Sequence, residues 1–295
     1  MIPRRRLAIL LLPSLLLMAT ACALQSSSAD GPATSQGTIE NKGSDTMVNL
    51  ALAWAEAYQL ENPAVRLSVT GGGSGTGIAS LINGTVDLAN ASRRIKPEEI
   101  SQAQVNGVQP VEFVVAQDAI AIVVHRDNPV DRLTLEQISA IYQGLYNNWS
   151  EVGGEDRPIV RLSRETNSGT HVYFLEEVLR LGDSESRVLF SRDTLLLPSS
   201  EGITAEVHQN PNAIGYDGLG YVTDAVKVVA VADQGSEDYV LPSAESVNNQ
   251  TYPIARDLYM YTPGDPQGQV AAYLDWILSP PAQQIVVDLG FVPIQ

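Results

Sequence analysis

An alternating run of Val65, Leu67 and Val69 leads into Gly71-Gly72-Gly73-Ser74-Gly75-Thr76-Gly77, after which Ile78 to Ile82 keep helical periodicity. Strand, glycine turn and helix in that order is the unit from which α/β lobes are built. The grammar recurs. Met47, Leu50, Ala51, Trp54, Ala55 and Tyr58 share one helical face that stops before Asn62-Pro63. Ile159 to Ser163 predict a strand before Arg164-Glu165-Thr166-Asn167-Ser168-Gly169-Thr170, with a helix over Val172 to Leu181. Val111 to His125 predict one extended strand or two, and Thr134 with Gln137 is in capping-box register. Further strands are expected at 213–216, 225–231 and 258–261, and a helical region at 267–289 that Pro280-Pro281 should split. The chain therefore reads as α/β with largely parallel sheets and no internal repeat.

Length and charge narrow the function. The 295 residues suit one large domain or two lobes of roughly 100 to 150 residues each. A formal charge of -16 argues against nonspecific binding to nucleic acid or to anionic membranes, which want a basic face. With one cysteine and three scattered histidines, His125, His171 and His208, no metal-ligand cluster is expected. Arg4, Arg5 and Arg6 precede an apolar run from Leu7 to Met18 and the small residues Ala19, Thr20 and Ala21, the pattern of a secretory signal over 1–21. The lone Cys22 follows directly, as in a bacterial lipobox, although Ala19 stands where leucine is usual. Residues 22–37 are expected to be a lipidated N-terminus and a flexible Ser/Gly-rich tether.

Three loops carry the same chemistry: Ser44-Asp45-Thr46, Ser74-Gly75-Thr76 and Ser168-Gly169-Thr170. Each puts hydroxyls at an expected helix start, where unsatisfied N–H groups and the dipole favour an anion. Ordinary N-capping is the better account of any one of them taken singly, and it is the three together that point to an anion. Arg164, shortly before Ser168, and Arg93, after Ser92, add fixed countercharge. Rival chemistries fit less well. Gly77 is followed by Ile78 rather than the lysine of a nucleotide P-loop, and Gly-x-Ser-x-Gly fails around both Ser74 and Ser168. Trp54, Trp149 and Trp276 are better read as packing than as a stacking platform.

Gly43-Ser44-Asp45-Thr46, Thr70 to Gly77, Ala91-Ser92-Arg93, Arg164 to Thr170, Ile214-Gly215-Tyr216 and the Tyr142 to Trp149 stretch together resemble the PstS family, the phosphate-binding proteins of bacterial ABC phosphate uptake. The similarity spans roughly residues 38 to 295. It implies a two-lobed type II periplasmic-binding-protein fold with a ligand cleft and two crossing strands. Lobe I is expected over 38–125 and 219–295, and lobe II over 126–218. The family pattern implies ligand contacts at Ser44, Thr46, Ser74, Ser92, Arg164, Ser168, Gly169 and Thr170. Where familiar members carry a carboxylate after the alanine-serine pair, to accept the proton of bound phosphate, this chain has Arg93. Asp45, between two implied contacts, is expected to take over that role, since a carboxylate beside an anion repels it unless a proton lies between them.

The expectation is thus an extracytoplasmic, lipid-anchored monomer that binds inorganic phosphate and delivers it to an ABC permease, without cofactor, metal, nucleic-acid partner or catalysis. The alternatives are a receptor for sulfate, molybdate or tungstate, a secreted phosphatase with a serine nucleophile, and a sensor or adhesion module.

Overall fold

The computed structural model describes residues 37–294. β1 (Thr38–Gly43) passes through a 3-10 turn (Asp45–Met47) into α1 (Val48–Glu61), and β2 (Arg66–Thr70) passes through the glycine turn into α2 (Ser74–Ile82). The α1 face read from the sequence is the buried one, from Met47 to Tyr58. β3 (Leu88–Ala91) and α3 (Pro97–Val105) follow, and β4 (Val111–His125) is a single strand of 15 residues. β5 (Arg132–Thr134) enters α4 (Leu135–Gln143) through the expected capping box: Gln137 N donates to Thr134 Oγ1 at 3.2 Å and Thr134 N to Gln137 Oε1 at 3.0 Å. β6 (Val160–Arg164) ends at the Arg164 loop, and α5 (Gly169–Tyr173) runs on as a π-helical segment, Phe174–Leu179. The chain continues through β7 (Leu195–Leu197), α6 (Ser200–Gln209), β8 (Ala213–Gly218), β9 (Val226–Ala232), α7 (Ala244–Asn248) and β10 (Ala255–Thr262). It closes with α8 (Gly268–Ile277) and α9 (Pro280–Asp288), split as expected because Pro280 and Pro281 sit in the first turn of α9, where a missing N–H costs little.

The strands run β2-β1-β3-β10-β4-β8-β6-β7, with β9 joining β4 and β5. The outer pairs β1–β2, β1–β3, β6–β7 and β6–β8 are parallel. The middle is not. β10 is antiparallel to β3 and β4, and β4 is antiparallel to β8 and β9, so the expectation of largely parallel sheets holds only at the flanks. β4 joins the two halves: residues 111–119 pair with β10, and residues 120–125 pair with β8 and β9. β9 pairs with the end of β4, residues 122–125, and with β5.

Each half has its own core. Met47, Leu50, Trp54, Met260 and Tyr273 pack in one, and Ile122, Tyr142, Trp149, Phe174 and Tyr216 in the other. Trp54 and Trp149 are core residues, while the half-buried Trp276 packs edge-on against Tyr58 at 5.3 Å. Among the described residues no helix is long and apolar enough to cross a membrane. The expected signal, Cys22 and all of the tether but Gly37 lie outside the described residues.

Candidate functional site

The hydroxyl loops sit where strands give way to helices on facing edges of the two halves. β1 ends beside β3, where Ser44 N donates to Asn90 O at 2.8 Å. α2 lies hard against this corner: a Cβ on Gly77 would come within 2.5 Å of Lys42 O and 2.6 Å of Gly43 Cα. That close approach brings Ser74, at the start of α2, to Ser92 after β3. Ser92 N donates to Ser74 Oγ at 2.9 Å, and the two hydroxyl oxygens are 3.3 Å apart.

The other half supplies Ser168, which caps α5 by accepting from Thr170 N at 3.2 Å. The two sides meet. Thr46 Oγ1 and Thr170 Oγ1 are 2.8 Å apart, Gly75 N donates to Asn167 O at 2.9 Å, and Asn167 Nδ2 donates to Gly72 O at 2.9 Å. Gly169 lies against the serine pair so closely that a Cβ there would be 2.3 Å from Ser74 Oγ and 2.6 Å from Ser92 Oγ. Ser44, Thr46, Ser74, Ser92, Ser168, Gly169 and Thr170 are all buried, and the Ser44 hydroxyl has no hydrogen-bond partner in the protein.

Arg164 is 1% exposed and bridges the halves: Nη2 donates to Asp45 Oδ2 at 2.9 Å and to Pro198 O at 2.8 Å, and Nη1 to Ser200 Oγ at 2.7 Å. Asp45 Oδ2 also accepts from Ser200 N at 3.0 Å. Asp45 is therefore the counter-ion of Arg164. Arg93 is engaged elsewhere, with both Nη atoms on the Glu99 carboxylate at 2.7 and 2.8 Å and Nη1 also on Arg94 O. None of its hydrogen bonds reaches the hydroxyl cluster.

Two residues that sequence reasoning missed complete the constellation. Arg256 Nη2 donates to Asp118 Oδ2 at 2.9 Å and to Thr170 Oγ1 at 3.0 Å, and its Nη1 donates to Ser92 O at 2.8 Å. It ties both hydroxyl loops to a fully buried carboxylate on β4. Burial pushes the Asp118 carboxyl up, against the pull of Arg256. A charged residue deep in an apolar run was the available signal. The arrangement brings buried hydroxyl groups together with two buried guanidiniums, a set of donors suited to an oxyanion. Among the described residues no group of His, Cys, Asp or Glu is arranged to hold a metal.

The family model of the PBP superfamily domain matches residues 28–281. The chain belongs to the PBP superfamily. It is 35% identical over 275 residues to the phosphate-binding protein PstS of Pseudomonas aeruginosa, covering 88% of this chain and 83% of that protein. It is 31% identical over 293 residues to PstS of Bacillus subtilis, covering 97% and 92%. A solved structure from Clostridium perfringens, a putative phosphate ABC transporter substrate-binding protein with bound phosphate, matches with a TM-score of 0.79 at 33% identity, over 88% of this chain and all of that one. The family resemblance read from the loop motifs is borne out, and so is the type II periplasmic-binding-protein fold.

Proposed function

We propose that this protein is an extracytoplasmic receptor that captures inorganic phosphate between the Ser44–Thr46, Ser74 and Ser92 loops on one side and the Arg164–Thr170 loop on the other, and hands it to an ABC permease. Binding is the whole function, with no bond made or broken. The observation that carries this reading is the convergence of Thr46, Ser74 and Ser92 on Gly169 and Thr170, flanked by Arg164 and Arg256. Membership in a family whose relatives are named phosphate-binding proteins selects phosphate among the oxyanions.

Two lobes are proposed to close on the ligand, with residues from 126 to about 254 moving together, because β9 and the buried Val247, Tyr252 and Ile254 pack with that half. Capture replaces water with oriented donors. A charge-assisted hydrogen bond contributes roughly 1.5–3 kcal/mol, while repulsion from the acidic surface is screened within about 8 Å, so the local donors prevail.

Selectivity for an anion that carries a proton is assigned to the carboxylates behind the guanidiniums. Asp45 was the first candidate, and Asp118, held by the Arg256 that also touches Thr170 and Ser92, is the second. Neither Ser74 nor Ser168 has a histidine partner: His171 Nδ1 meets Ser163 Oγ at 3.0 Å, and that hydroxyl also contacts Tyr216 OH. This favours a receptor over a serine phosphatase. Attachment through a lipid on Cys22 completes the proposal, and Cys22→Ser should release the protein from membranes.

Calorimetric titration with phosphate, sulfate and molybdate, run beside a phosphomonoester hydrolysis assay, tests the reading. Saturable phosphate binding with weaker sulfate and molybdate binding and no hydrolysis is the expected result. Preference for a fully ionised oxyanion, or turnover of the ester, would overturn it.

A further inference from the structure

The candidate site gathers three carboxylates around two guanidiniums. Arg164 is paired with Asp45 and Arg256 with Asp118, each at 2.9 Å. Asp217, the third acid, receives no guanidinium hydrogen bond. It lies at the end of β8, fully buried, one residue before Gly218, and feels the charges of both Arg164 and Asp118. Its Oδ1 accepts from Gly218 N at 2.9 Å, and its Oδ2 has no hydrogen-bond partner.

Arg164 from β6 pulls the Asp217 carboxyl down and Asp118 from β4 pushes it up. Ser200, at the start of α6, accepts from Arg164 Nη1 at 2.7 Å through its hydroxyl oxygen, and its hydroxyl, like Arg164, pulls the Asp217 carboxyl down. Tyr221, in the 3-10 turn after β8, donates its phenol to Asp45 O. Burial is the largest influence and sets the Asp217 carboxyl at about 7.

With all five groups ionised the cluster already carries one surplus negative charge. A doubly charged oxyanion sealed against it would add uncompensated buried charge, which is costly in a site closed to water. The least costly relief is a proton on Asp217 Oδ2, the carboxyl oxygen with no hydrogen-bond partner. We propose that Asp217 takes up a proton from solvent when the anion binds, so that capture at this site is coupled to protonation of the protein. Protonation costs little there, because the group already titrates near neutrality and its free oxygen loses no hydrogen bond. The coupling rests on the phosphate reading above.

The test is calorimetry with inorganic phosphate at pH 8 in two buffers of different ionisation enthalpy, on the wild type and on Asp217→Asn. The wild type should take up about 0.9 proton more per phosphate than the variant, since a carboxyl titrating at about 7 is mostly ionised at that pH before binding. From pH 8 to pH 9 its affinity should fall about tenfold further than that of the variant. Equal proton counts in two proteins that both bind phosphate would overturn the coupling and leave the phosphate reading intact. No saturable binding by the wild type would overturn the phosphate reading and the coupling with it. If the variant does not bind, the infrared difference spectrum of the wild type decides: a new carboxylic-acid carbonyl band on phosphate addition supports the coupling, and its absence overturns it.

Discussion

Arg164 spends its donors on Asp45, Ser200 and two backbone carbonyls, those of Leu197 and Pro198, and only the Asp45 contact crosses to the other half. Removing it leaves Asp45 without its cation and strips the site of one of two buried guanidiniums. Arg164→Ala should therefore cost about 2–5 kcal/mol of phosphate affinity, measured by calorimetry, and an unchanged Kd would take Arg164 out of the site. Asp217 makes a different prediction, about stability. Burial raises its folded carboxyl to about 7 from the ordinary aspartate value of 3.8, so its contribution is fully present below about pH 4 and is lost as the pH rises through about 7. Asp217→Asn has no such proton to lose. Its stability relative to wild type in urea should rise between about pH 4 and pH 7 by something on the order of a few kcal/mol and then level off. Parallel pH profiles would mean that Asp217 sits in a more polar place than its burial indicates.

At the scale of elements, close packing of α2 on β1 places Ser74. Ala is the better helix former by about 1 kcal/mol, which alone would favour Gly77→Ala. The added Cβ meets backbone at Lys42 and Gly43, however, and strand backbone cannot rotate away as a side chain can. Overpacking of about 1–3 kcal/mol should win, and a lowered urea midpoint would show it. A stabilised variant would mean that α2 can lift off β1. Much at this scale was legible in the sequence. The buried face of α1, the Thr134 capping box and the proline break between α8 and α9 are written in local spacing. Strand direction is not, because alternation marks a strand without naming its partner, and so the antiparallel centre around β4 and β10 was missed. The site divides the same way. Hydroxyl loops announce themselves by glycine and serine, whereas the Arg256–Asp118 pair joins residues 138 positions apart. Arg93 looked like a ligand by adjacency to Ser92, yet a carboxylate six residues on, Glu99 in the first turn of α3, claims its guanidinium.

For the whole molecule, the long β4 strand belongs to both halves, pairing with β10 over residues 111–119 and with β8 over residues 120–124. An acidic chain can still attract an anion under this arrangement, because the donors act at contact distance while the net charge of -16 is screened. Loops from both halves are proposed to hold the anion together. Amide hydrogen exchange with and without saturating phosphate tests it most directly. Protection should rise at residues 44–46, 74–77 and 92 and, in the same titration, at residues 168–172. Protection confined to one of these sets, or to neither, would mean that the anion is not held between the two halves.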